Sequence, residues 1–210
     1  MSSAQNQSGG DPRPAATVVV TRALSNGRLE FVVLLRSATS RFLPKFVVFP
    51  GGVVEEQDSR LASEWFGHHD EAARACALRE LAEECGLVMT ASGLVHAPGR
   101  LPGEAGLPPP DPNAVPEIAR WVAPVFLPVR FDARFFAIRA DSDLEPRPDG
   151  VEAERAWWAG AEELLEAARA GETQLMWPTL KTLEALAACS SIDDVLSLRI
   201  EQVPPPVRSK

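Results

Sequence analysis

The run Arg79-Glu80-Leu81-Ala82-Glu83-Glu84-Cys85-Gly86-Leu87 sets three carboxylates at positions i, i+3 and i+4. At about 100° per residue these positions are neighbours on one helical face. Leu78, Leu81, Ala82 and Cys85 fall on the opposite side. The spacing therefore predicts a helix with an apolar face to bury and an acidic face to present, stopped by Gly86. Three like charges this close repel one another. A hard divalent cation such as Mg²⁺ or Mn²⁺ prefers oxygen ligands and would reverse that penalty. Glu80, Glu83 and Glu84 are thus candidate metal ligands. The competing reading of the same pattern is a solvated acidic face on which Arg79 pairs with Glu83.

Upstream, Phe49-Pro50-Gly51-Gly52 follows the apolar run Phe46-Val47-Val48. This reads as a strand ending in a sharp, glycine-permitted turn. Glycines there let backbone carbonyls and amides approach a metal or a phosphate.

These residues resemble the Nudix box, the signature of the Nudix hydrolases, G-x5-E-x7-R-E-U-x-E-E-x-G-U with U a bulky apolar residue. Arg79 to Leu87 matches the second half at every specified position, and Glu71 matches the middle glutamate. The first half departs. Gly52 lies too far from Glu71, by an insertion of about a dozen residues that includes Asp58 to His69; loop insertions add little closure entropy. Either Glu71 or Glu55 is left for the middle acidic role. The resemblance spans roughly residues 17 to 188. It implies an α+β fold, a mixed β-sheet sandwiched between helices, with extra helices at the C-terminal end. It also implies metal-dependent hydrolysis of a diphosphate joined to another moiety, with Mg²⁺ or Mn²⁺ as cofactor. Glu83 and Glu84 carry over as the primary metal ligands and Glu80 as a ligand or as the base that orients water. Gly51 would offer its carbonyl, and Arg79 would orient the glutamates. A further acidic ligand is expected from a later strand. Glu152 has the expected spacing before Trp158, and Glu154 is its competitor.

Leu34-Leu35-Arg36-Ser37, then Arg41, then the Phe-Pro-Gly-Gly turn resembles the motif upstream of the box in coenzyme A diphosphatases. The match is partial: a two-residue spacer is missing and Lys45 stands where a glycine is expected. The interrupted box, the run Arg130 to Phe136, and Trp158 with Glu162-Glu163-Leu164 look like one branch of the family. That branch holds the mammalian mitochondrial and peroxisomal coenzyme A diphosphatase and its bacterial relatives. The implied substrate is coenzyme A or an acyl-CoA, cut to 3′,5′-ADP and (acyl-)phosphopantetheine. The alternatives are ADP-ribose, a nucleotide sugar or another nucleoside diphosphate derivative, or a fold that binds such a ligand without cutting it. Arg36, Arg41, Lys45, Arg130 and Arg134 are candidates for the cationic side of a phosphate site, since arginine suits bidentate phosphate contacts. Phe135 and Phe136 alternate across a strand, so one faces the core and the other is placed to line a pocket. Arg36, Arg41, Arg134 and Phe136 form the expected substrate-binding set.

The elements that must position these residues follow from composition and punctuation. The chain has 210 residues, 45% of them hydrophobic, and a net charge of -8, which suits one elaborated domain. An acidic chain is a poor candidate for nucleic-acid binding. No stretch is apolar enough for a membrane span, and residues 1–16 lack the apolar core of a secretory signal. The expectation is a disordered leader over 1–16, a cytoplasmic domain over 17–200 and a flexible tail over 201–210, with a homodimer allowed by the resemblance. Cys76, Cys85 and Cys189 form no CxxC pair and read as small buried hydrophobes in a reducing compartment. His68 and His69 read as a solvated pair in the insertion.

Thr17–Leu24 and Leu29–Leu35 flank Asn26-Gly27, a strong hairpin signal. Phe46–Phe49 reads as a third strand, residues 53–70 as the insertion, and Asp70–Cys85 as the box helix with Asp70 as N-cap. The Pro-rich stretch 97–116 cannot sit inside a sheet and reads as a surface loop placed to act as a lid. Trp121–Leu127, Phe131–Arg139 and Val151–Trp158 read as strands. Ala161–Ala170, Thr179–Ala188 and Ile192–Ile200 read as helices, the last capped by Ser190 or Ser191.

Overall fold

The computed structural model describes residues 10–40, 43–140, 144–148 and 150–205. The chain opens as an antiparallel hairpin of β1 (Arg13–Ala23) and β2 (Leu29–Arg36). Gly27 takes φ +82° in its turn, and Asn26 Oδ1 accepts the Arg28 N–H at 3.0 Å, the local chemistry that Asn-Gly supplies. β1 starts at Arg13, four residues before the expected strand, so the leader does not extend to residue 16. Ala16 is already buried between neighbouring strands. The leader's first nine residues lie outside the described residues.

β3 (Phe46–Val48) and β4 (Gly51–Val53) flank the glycine turn. Most of the insertion is a helix, α1 (Glu56–Phe66), ended by Gly67 at φ +76°. A 3-10 turn over His69–Glu71 leads into α2 (Ala72–Cys85), the box helix. Asp70 is not its N-cap. Asp70 pairs with His69 at 3.1 Å in solvent instead. A small hairpin of β5 (Leu87–Thr90) and β6 (Gly93–His96) follows.

The Pro-rich stretch carries no strand. It rests on α1 and on the first turn of α2, where Arg74 Nε donates to the Val115 carbonyl at 2.9 Å and Gly103 abuts the Trp65 ring. β7 (Glu117–Val122) begins directly after it and stops before Pro124, so the expected strand to Leu127 is shifted toward the N-terminus; prolines at 124 and 128 cannot donate to a ladder. β8 (Phe131–Arg139), β9 (Ala153–Ala159), α3 (Ala161–Arg169), β10 (Gln174–Leu175), α4 (Trp177–Ala187) and α5 (Ile192–Ser197) complete the chain. Ser191 caps α5 by accepting the Asp194 N–H at 3.1 Å.

The main sheet runs β10-β3-β2-β1-β8-β7, with β8 parallel to β1. It forks at the centre. The last residues of β1 pair with β2, while Ala15–Thr17 pair with β4; β2 in turn pairs with both β3 and β9. One face packs Val18, Val20, Leu34 and Phe136 against α2 and α1. The other packs Val19, Val33, Phe135 and Ala137 against α3, α4 and α5. The alternation of strand side chains supplies both faces with apolar groups. The α+β architecture, a mixed sheet between helical layers, is therefore the one adopted.

Candidate active site

Ten of the fourteen residues of α2 are buried, Arg79 and Glu84 among them. The helix is an inner element with no acidic face turned to solvent. Glu84 is 4% exposed, and only Glu83 is well exposed. Gly86, at φ +64°, ends the helix by donating its N–H to the Ala82 carbonyl at 3.0 Å.

The buried Arg79 is held by a residue that sequence reading passed over. Asp58, on the inserted helix α1, is fully buried. It accepts Arg79 Nε on Oδ1 at 2.8 Å and Nη2 on Oδ2 at 3.1 Å. The same Oδ2 accepts the Glu55 N–H at 2.8 Å, which starts α1. Arg79 Nη1 then holds Glu80 Oε1 and Glu83 Oε2, both at 2.9 Å. Asp58 and Glu80 thus hold the guanidinium charged, outweighing the effect of burial. The question of Glu71 against Glu55 is answered by neither. Glu71 pairs with Arg74, and Glu55 sits at the start of α1. One signal was available. Asp58 follows Gly52 by the five-residue gap of the box, with aspartate for glutamate, so the insertion falls between Asp58 and Arg79.

The glycine turn meets the helix directly. The Gly51 N–H donates to Glu84 Oε2 at 2.9 Å. A Cβ on Gly51 would lie 2.3 Å from the Ala16 carbonyl oxygen, and one on Gly52 would lie 2.2 Å from Glu80 Oε1. The turn is glycine because β1 and a carboxylate occupy the space of side chains. Burial pushes the Glu80 carboxyl up to about 7, against the pull of Arg79, and that of Glu84 up to about 8, against the Gly51 N–H. Arg36 lowers the Glu84 value and Glu152 raises both, so the structure brings these two charges to the same place. Glu154 is committed elsewhere, to Lys45 at 2.6 Å.

The remaining candidates divide. Arg134 shares a row with Ala16 and Gly52 across β8, β1 and β4, roughly two strand spacings, or about 10 Å, from Gly52. Its guanidinium is paired with Glu117 at 2.5 Å and lies over the Phe136 ring. Phe136 is fully buried under α2, and Phe135 is buried on the opposite face. Neither ring lines an open pocket, because both sheet faces are covered by helices; Phe136 is a packing residue. Arg130 is bound to the Ala123 and Gly10 carbonyls. Arg41 lies outside the described residues. Cys76 and Cys85 are buried and outside any disulfide, and burial with nearby Asp58 and Glu80 pushes the Cys76 thiol far up.

The donors fit a hard divalent cation in kind. Glu84 is buried and Glu80 half-buried, and the charged forms of both carboxylates are disfavoured where they stand; an oxygen-seeking cation offsets that penalty. Among the described residues no three acidic, His or Cys side chains stand ready-arranged around a metal position. The Glu83 carboxylate rests on Arg79.

A solved NUDIX hydrolase from Alicyclobacillus acidocaldarius is 31% identical, covering 91% of this chain and 99% of its own, with a TM-score of 0.75. A relative from Caenorhabditis elegans, nudix hydrolase 7 by provisional name, is 27% identical over 86% of this chain, and the chain spans 62% of that relative's length. The NUDIX domain of Shewanella oneidensis NrtR, complexed with ADP ribose, shares the fold at 13% identity and a TM-score of 0.52, over 83% of this chain and 86% of its own. The sequence pattern of the NUDIX domain matches residues 11–181. A pattern of that extent, on a sheet and box helix shared along nearly the whole chain, makes the assignment direct: the chain belongs to the NUDIX domain family.

Proposed function

We propose that the chain is a metal-dependent hydrolase of a diphosphate linkage, with coenzyme A or an acyl-CoA as its substrate. The observation that carries the reading is the pair of Glu84, buried, and Glu80, half-buried, gathered against the Gly51–Gly52 turn, with Arg79 on Glu80. Acids whose desolvation raises their proton affinity, set against a glycine turn, mark a candidate functional site. The coenzyme A assignment rests on the Leu34-Leu35-Arg36-Ser37 resemblance, supported by the action of Arg36 on Glu84.

In this reading Glu80, Glu83 and Glu84 hold the metal, with the Gly51 carbonyl and Glu152 as further donors. When bound, the divalent cation neutralises phosphoryl oxygens and makes a water more acidic. Arg36 binds the substrate diphosphate, and Arg134 is placed for a more distant part of it. Glu80 serves either as a metal ligand or as the base that orients the attacking water and takes its proton. The new bond joins water oxygen to phosphorus. The bridging oxygen leaves with the other phosphate, giving two phosphomonoesters. Asp58 and Arg79 touch no reacting atom; they keep Glu80 and Glu83 in place.

A second reading keeps the chemistry with ADP-ribose or another nucleoside diphosphate derivative, and the ADP-ribose complex of a fold relative makes that ligand worth including. Turnover of coenzyme A, acetyl-CoA, a longer acyl-CoA, ADP-ribose, NADH, UDP-glucose and dGTP is measured with Mg²⁺ or Mn²⁺ and with EDTA, products resolved by mass. Metal-dependent 3′,5′-ADP from the coenzyme A group alone supports the assignment. Turnover of another compound removes coenzyme A and keeps the chemistry. Ligand binding without any turnover, retained in a Glu83→Gln/Glu84→Gln variant, defeats the hydrolase reading.

A further inference from the structure

The turn that leaves β2 and the residues that enter β3 are anchored to β9 through one side chain. Glu154 accepts the Ala38 N–H on Oε1 at 2.9 Å and the Lys45 ammonium on Oε2 at 2.6 Å. Two residues earlier, the Glu152 carbonyl accepts the Ser37 N–H at 2.9 Å and the Ser40 hydroxyl at 3.4 Å. The Lys45 N–H returns to the Arg36 carbonyl at 3.2 Å and closes the excursion. Leu43 and Lys45 stand at φ 52° and 63°, where an L side chain crowds the following carbonyl. Non-glycine residues stay there only when their surroundings over-determine them.

Glu154 adds to the hydrogen bonds that Lys45 and Phe46 N–H make to the Arg36 and Leu43 carbonyls. It grips the backbone just after Arg36 and the side chain of Lys45 at once. The Lys45 and Glu154 side chains are 53% and 37% exposed, and such a pair adds little to stability. Its effect is placement. The β2–β9 ladder already sets Arg36 opposite Ala153, and Glu154 carries that seam past the end of β2 to Ala38 and Lys45.

We propose that Glu154 is a positioning residue that fixes Ala38, just after β2, and Lys45, just before β3, to the start of β9, and so steadies Arg36, on the substrate side, beside Glu152, on the metal side. The inference rests on the hydrolase reading above. A diphosphate bound across the site needs both segments at a fixed spacing. Without the tether the turn relaxes out of its left-handed conformations, and substrate binding weakens before the chemical step does.

The test uses Glu154→Ala, Lys45→Met and the double variant in the full chain. Kinetics with coenzyme A and with ADP-ribose are run beside calorimetric binding of both and hydrogen exchange of the Ser37 and Ala38 amides. The expected result is a rise in KM of about 5- to 10-fold with kcat within about twofold of wild type. Ala38 exchanges faster, and the double variant is no worse than the Glu154 variant. Glu154→Gln, which keeps an acceptor for the Ala38 N–H, recovers part of the loss. Faster exchange with an unchanged KM makes the tether purely structural and overturns the proposal. A loss of kcat with KM unchanged overturns it too, by placing Glu154 in the chemistry. If wild type cuts neither compound, coenzyme A and ADP-ribose are both removed as substrates, independently of the tether. Calorimetry then decides: weaker binding in the variants supports the tether, and equal or absent binding overturns it.

Discussion

Asp58 and Arg79 illustrate how one buried residue serves two structures. Asp58 starts α1 by accepting the Glu55 N–H and clamps Arg79, which holds Glu80 and Glu83. Removing one partner of a buried ion pair leaves a bare charge, at a cost of about 3–5 kcal/mol. Asp58→Ala is therefore expected to lower thermal stability by that amount and to depress turnover. Asp58→Asn keeps an acceptor for the Glu55 N–H and should lose less stability. A double cycle with Arg79→Ala should be strongly sub-additive, since the two residues act as one unit; additive losses in chemical denaturation would show that they do not.

At the scale of elements, the contact between the glycine turn and α2 decides the site. Gly51 and Gly52 are adjacent but face different neighbours. A methyl group at 51 would strike the Ala16 carbonyl, part of β1, whereas one at 52 would strike the far end of the Glu80 side chain. Gly51→Ala must shift paired strands and is expected to destabilise by roughly 1–3 kcal/mol. Gly52→Ala can be met by moving the carboxylate, so its melting curve should stay near wild type. Its turnover should fall on the order of 10²-fold, the scale of an ångström misplacement. Equal effects of the two substitutions on stability would contradict this division. The same contact corrects the sequence view of α2. Its glutamates are legible as neighbours, but their burial comes from β4 pressing on them, and no feature within the helix announces that.

The whole molecule carries the electrostatic consequence. Burial lifts Glu80 and Glu84 from 4.5 to about 7 and about 8. Between those limits the folded chain binds more protons than the unfolded one. Their contribution is complete below pH 4.5 and is lost as pH rises through 7 and 8. Metal-free protein is thus expected to melt at progressively lower temperature across that window, and Glu84→Gln should flatten the slope. Mg²⁺ at a hundredfold excess over its Kd should add about 2.7 kcal/mol; at one fixed Mg²⁺ concentration the gain is larger at pH 8, where the carboxylates are ionised and Kd is lower. Melting curves in EDTA and in Mg²⁺ at pH 5, 6.5 and 8 measure this directly. A slope unchanged by Glu84→Gln would remove Glu84 as its source.

The hairpin at Asn26-Gly27 and the adjacency of Glu80, Glu83 and Glu84 were written in local spacing, and the spacing of the box carried the family resemblance that implied the mixed sheet between helices. Turn chemistry, strand alternation and helical neighbours act within a few residues and survive in the linear chain. The start of β1 at Arg13, the burial of Phe136, the seat of the Pro-rich stretch on α1, and the pairing of Asp58 with Arg79 were decided by tertiary structure. Each depends on which surface another element covers. A side chain's partner across 21 residues, or its exclusion from water, exists only once the sheet has closed under the helices.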